Sequence, residues 1–249
     1  MAVKPKTDSP PEKSAPAGMR SLIRKTNEEE YHRLLFVYGE QGAGKTHLLG
    51  TAVDAGKKIL VLDGDLEGRE TLEDLPIDAV AMDSMDTFAE FMDFLIREGY
   101  KDYDVIAIDT LSSLQITIME DLESTGQGQD VWRRADIARN LVVGKLRELR
   151  KRPVMLIVTA HEQRKFRKAA GTSDPILDQV LPKLFPSVWE GVNTITSAVG
   201  RLTKGESEEV KSILDFRRRP VFMAKDRTGK LPRTLENPTI GAVLEAFNG

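Results

Sequence analysis

Residues 39–46, Gly39-Glu40-Gln41-Gly42-Ala43-Gly44-Lys45-Thr46, carry the spacing G-x-x-x-x-G-K-[ST]. Glycines at these positions let the backbone curl so that successive N–H groups converge, and a helix starting at the end of the run adds the positive end of its dipole. An ammonium at Lys45 neutralises β- and γ-phosphate oxygens, and the Thr46 hydroxyl is a ligand for Mg²⁺. Residues 39–46, with His47 directly behind, therefore read as a phosphate cradle for ATP with Mg²⁺.

Further polar residues follow apolar runs. Val105-Ile106-Ala107-Ile108 ends in Asp109, an arrangement that sets an acid beside a Mg²⁺ shell, although such an acid can also cap the next helix. Ile59-Leu60-Val61-Leu62 runs into an acidic stretch in which Asp65 or Glu67 could deprotonate an attacking water, the choice between them staying open. The run 154–159 ends in Ala160-His161-Glu162-Gln163, where His161 can sense a γ-phosphate or simply be a hydrogen-bonded structural residue. His32 and His47 have no metal-ligand spacing with His161, so zinc is not indicated. Late in the chain, Lys225 and Arg227 alternate and so point the same way, as cations reaching the γ-phosphate of a neighbouring subunit would, or as a solvated hairpin tip.

The elements that must position these residues follow from periodicity. Apolar runs at 34–38, 58–62, 104–108 and 154–159 predict buried parallel strands, and helical spacing covers 45–53, 87–98 and 131–151, with Pro153 beyond the last. The cradle thus lies between a strand and a helix, as the motif requires. After residue 193 short β-prone runs at 194–202, 210–216 and 221–225 predict antiparallel hairpins. Residues 1–20, with Pro5, Pro10, Pro11 and Pro16 among Lys, Ser and Ala, read as a disordered tail before one domain spanning 21–249. Cysteine is absent, which excludes disulfides and thiolate metal sites, and no apolar run approaches the roughly 20 residues of a membrane span. A cytoplasmic chain without a membrane partner is expected. The net charge of −3 leaves nucleic acid to a local basic patch.

The order of phosphate loop, acidic strand end, Asp109 strand, Ala160-His161-Glu162 strand end and late Lys225-Asp226-Arg227-Thr228-Gly229 resembles the RecA-type ATPases, most of all the phage-encoded RecA-like nucleotide-binding proteins, some of them single-strand annealing ATPases. The resemblance implies an α/β RecA-like P-loop NTPase fold, a mostly parallel central sheet flanked by helices, and antiparallel hairpins at its C-terminal edge. It places Asp65 nearest the family's catalytic acid and maps two DNA-binding loops to 119–131 and 163–182. Residues with suitable chemistry are Arg133 and Arg134, which follow the first loop, and in the second Arg164, Lys165, Arg167 and Lys168 around Phe166. It also implies a homo-oligomeric ring or filament on single-stranded DNA, with a single-strand-binding protein as a further partner. A helicase loader or other P-loop switch gripping a protein is the alternative, followed by a small-molecule kinase and a non-hydrolysing scaffold.

Overall fold

The computed structural model describes residues 32–65, 71–168 and 175–248, and the expected tail at 1–20 lies outside them. The described residues belong to one compact unit, His32–Gly249. β1 (Leu34–Gly39) leads into α1 (Lys45–Asp54), followed by β2 (Ile59–Asp63), β3 (Asp78–Ala81), α2 (Met85–Arg97) and β4 (Val105–Asp109). Next come α3 (Leu111–Ser124), α4 (Val131–Leu149), β5 (Met155–Lys168), β6 (Pro175–Pro182) and α5 (Pro186–Ile195). β7 (Ala198–Lys204), β8 (Ser212–Asp215), β9 (Lys225–Asp226), β10 (Thr234–Glu236) and α6 (Ile240–Asn248) complete the chain.

The strand order is β10-β8-β7-β1-β5-β4-β2-β3. From β7 to β3 every neighbouring pair is parallel. Antiparallel partners are added by β8 and β9 on β7, by β10 on β8, and by β6 on β5. The α/β class with a mostly parallel sheet and antiparallel strands at the C-terminal edge is thus the one expected.

Strand alternation explains the two cores. Leu34, Phe36 and Tyr38 point to one face, which α2, α3, α4 and α5 cover through residues such as Phe88, Leu114, Val142 and Val192. Leu35 and Val37 point to the other, against Leu48 and Leu49 of α1 and Val243 and Phe247 of α6. Each buried side chain of this size contributes about 1.5–3 kcal/mol. Burial of both faces is why β1, β2 and β4 are apolar at nearly every position.

Four expectations need correction. Residues 119–131 are not one loop: α3 runs to Ser124, held by the buried spacing Leu111, Leu114, Ile118 and Leu122, and only a short turn precedes α4. Residues 163–182 are not a loop either, because β5 runs through Lys168 and pairs with β6, with a register shift between Lys165 and Phe166. The run at 194–202 is divided: Pro186 opens α5, which buries Val188, Val192 and Ile195, and the strand begins only at Ala198, parallel to β1. The run at 221–225 yields only Lys225, the first of the two residues of β9.

Candidate active site

The phosphate loop joins β1 to α1 with the backbone that its glycines permit. Gly42 and Gly44 have φ of 72° and 95°, the left-handed region that side chains with a β-carbon disfavour. At Gly39 the requirement is space, since a β-carbon there would stand 2.1 Å from the Leu202 carbonyl oxygen on β7. Gly44 supplies no side-chain cap to α1, so the leading N–H groups of that helix are left for a ligand. Lys45 is buried, and its ammonium donates to the Gly39 and Glu40 carbonyls at 3.2 and 2.9 Å.

Asp109 ends β4 one strand away from β1, across β5. Its Oδ2 accepts a 2.7 Å bond from the Thr46 hydroxyl, and its Oδ1 accepts from Thr159 on β5. Burial pushes the Asp109 carboxyl upward, opposed by those two hydroxyls and by Lys45. Burial also lowers Lys45, opposed mainly by Asp109. Beside them, His161 Nε2 lies 3.6 Å from Asp65 Oδ2, and burial followed by the Lys45 charge holds the imidazole below its ordinary range. Lys45, Thr46, His47, Asp65, Asp109 and His161 line one cleft of about 490 Å³, together with Gln41, Gly42 and Gly44. A hydroxyl and a carboxylate set together are hard oxygen donors of the kind Mg²⁺ takes, and the loop offers an ammonium and helix N–H groups to phosphate, so the residues fit a magnesium nucleotide.

The family described as an AAA domain, AAA_24, matches residues 32–228. The chain belongs to this family. No curated protein matches it. Among solved structures, a crystal structure of the RadB recombinase is similar, at 14% identity over 76% of this chain and 84% of that chain, with a TM-score of 0.44.

Within this AAA domain the expected site residues divide into those the fold brings together and those it does not. The loop residues Gly39 to His47, with Asp65, Asp109 and His161, assemble, except that Ala43 packs into the core and Glu40 turns toward Arg164. Glu67 lies outside the described residues. Lys225 and Arg227 do point the same way, but onto the C-terminal end of α5, donating to the carbonyls of Asn193 and Thr194. Desolvation, Arg227 and Arg150 lower Lys225 to about 8.

The expected DNA contacts also separate. Arg134 is turned inward to Glu123 at 3.4 Å and to the Gly128 carbonyl at 3.5 Å, whereas Arg133 is exposed. Arg164 folds back on Glu40 and Glu162, and Arg167 pairs with Asp178 across the hairpin at 3.2 Å. Lys165, Phe166 and Lys168 are exposed on β5. Sequence reasoning missed Thr159, which orients Asp109, and Ser112, whose hydroxyl accepts from the His161 N–H at 3.0 Å. It also missed Trp132, 65% exposed and edge-on to Phe185. A hydroxyl closing an apolar strand next to a P-loop strand was the available signal for Thr159. None marked Ser112.

Proposed function

We propose that the chain is a Mg²⁺-dependent, ATP-hydrolysing RecA-like protein that acts on single-stranded DNA in phage-type recombination, repair or replication. The observation that carries this reading is the Thr46–Asp109 bond of 2.7 Å in the cleft that Lys45 also lines. Lys45 and the α1 N-terminus would hold the phosphates, and Thr46 with Asp109 would hold Mg²⁺, which when bound supplies charge neutralisation of the phosphoryl oxygens. Asp65 accepts the proton of the attacking water, and His161, 3.6 Å from it, orients that carboxylate and senses the phosphate. Glu67 is the other candidate base.

Two features support DNA and assembly. Phe166 is 58% exposed on β5 between the cations Lys165 and Arg167, a combination suited to stacking on a base and following a phosphate backbone. Lys225 and Arg227 share a direction and lie outside this chain's own cleft, and to serve a neighbour's nucleotide they would exchange the Asn193 and Thr194 carbonyls that end α5 for its phosphate. A homo-oligomer working alongside a single-strand-binding protein in the cytoplasm completes the reading.

The test is ATP hydrolysis against protein concentration, with and without single-stranded DNA, for the wild type, Lys45→Ala and Arg227→Ala. A DNA-stimulated rate that rises cooperatively and is lost in both variants is expected. Mixing the two variants should restore part of it, because each keeps what the other lacks at a shared interface. Hydrolysis that ignores DNA and tolerates Arg227→Ala refutes the reading and favours a P-loop switch of another kind.

A further inference from the structure

Four charged side chains of alternating sign run from the phosphate loop to β7. Glu40 of the loop pairs with Arg164, and Arg164 Nε also reaches Glu162 Oε1 at 3.2 Å. The Glu162 side chain, only 3% exposed, is gripped by Arg201, with Nε at 2.9 Å and Nη2 at 3.2 Å. Arg201 in turn lies over the Phe222 ring, 5.3 Å from its centroid.

The two ends of this row differ in kind. A buried carboxylate held by a two-point guanidinium contact is a fixed anchor, and removing one partner would strand a buried charge. Arg164 and Glu40, with side chains 47% and 43% exposed, form the sort of pair that adds little to stability. Its consequence is positional. The Glu40 carbonyl is one of the two that hold the Lys45 ammonium, so the placement of Glu40 sets where Lys45 starts from when phosphate arrives. Arg164 lies in the β5–β6 ladder, opposite Val180 and beyond the parallel part of the sheet.

We propose that Arg164 is a positioning residue for the phosphate loop: its pairing with Glu40 ties the loop to the base of the β5–β6 hairpin, so that nucleotide affinity and hairpin position depend on each other. This inference rests on the nucleotide reading above. Because such coupling is reciprocal, a ligand on the hairpin changes nucleotide affinity by the factor by which nucleotide changes the hairpin's affinity.

The test uses the full chain and a fluorescent ATP analogue with Mg²⁺, comparing the wild type with Arg164→Met, Glu40→Gln, both together, and Arg164→Lys. Each single loss of charge should weaken binding about fivefold, the low end of measured couplings between sites. The double variant should bind no worse than the weaker single, since the Glu40–Arg164 pairing is already lost in each single. Arg164→Lys should keep most of the affinity, and melting temperatures should not change. Amide exchange over residues 162–168 should slow with nucleotide in the wild type and not in Arg164→Met. Wild-type affinity in both singles, or losses that add in the double, overturns the inference alone. A wild type that binds no nucleotide overturns the reading beneath it as well.

Discussion

The Thr46 hydroxyl donates a 2.7 Å hydrogen bond to Asp109 Oδ2, joining two residues 63 positions apart at the ends of neighbouring elements. With Thr159 on the other oxygen, the carboxylate is held by two neutral hydroxyls in a buried place. It is therefore oriented but under-compensated, as its raised pKa records.

Asp109→Asn should separate function from stability. The amide keeps an acceptor for one of the hydroxyls and removes the cost of burying the carboxylate, but it also withdraws the charge that opposes the desolvation of Lys45, so the two effects offset and the melting temperature should shift by no more than about 1 kcal/mol. Mg²⁺-dependent hydrolysis should fall about 100-fold or more, because charge compensation of the metal is lost. A magnesium titration of the rate beside a thermal melt measures both. A large drop in stability contradicts this account of Asp109.

The two glycines at the ends of the phosphate loop should fail differently. Gly39→Ala drives a β-carbon to 2.1 Å from a backbone carbonyl of the neighbouring strand, and a loss above about 4 kcal/mol is expected. At Gly44 nothing lies within 4 Å and only the φ of 95° resists, so Gly44→Ala should cost about 1–2 kcal/mol and stay folded while nucleotide binding suffers. Denaturant melts and nucleotide titration of both variants decide this.

His161 should make stability depend on pH. Its folded pKa lies below the unfolded value of about 6.5, so the unfolded chain binds the extra proton in the window between them. Stability from this group is full above that window and is lost as pH falls through it toward the folded pKa. His161→Asn removes the titration, and the wild type should then lose more stability than the variant between about pH 7.5 and 5.5. Equal losses in thermal melts at the two pH values would show that the imidazole is not held neutral.

On the hairpin, Phe166→Ala should leave the melting temperature unchanged, since the ring is exposed. If it stacks on a base, the affinity for an oligo-dT strand should fall by about 1–3 kcal/mol. Lys165→Ala and Lys168→Ala should each lower the slope of log affinity against log salt by about 0.7. Fluorescence anisotropy at several salt concentrations reads both effects, and unchanged binding in all three variants would show that the hairpin does not bind the strand.

Residues 39–46 were legible in the sequence because a phosphate cradle is made by contiguous backbone: the glycines, Lys45 and Thr46 act within one turn of chain. The class was legible too, because strands buried on both faces, such as 34–38 and 104–108, leave continuous apolar runs. Asp109 could be nominated as the acid ending such a strand. The β5–β6 pairing was not legible, because its exposed residues carry little apolar alternation and each strand is held by backbone bonds from the other. At the end of α3 the resemblance maps a loop to 119–131, which the composition of Ser124 to Gln129 suits, while the burial of Ile118 and Leu122 that extends the helix depends on packing. Only tertiary structure could pair Arg164 with Glu40, aim Lys225 and Arg227 at the end of α5, and set Thr159 and Thr46 on the two oxygens of Asp109. Sequence spacing fixes contacts within a turn of backbone, whereas contacts across the sheet depend on strand order and register, which the whole core decides.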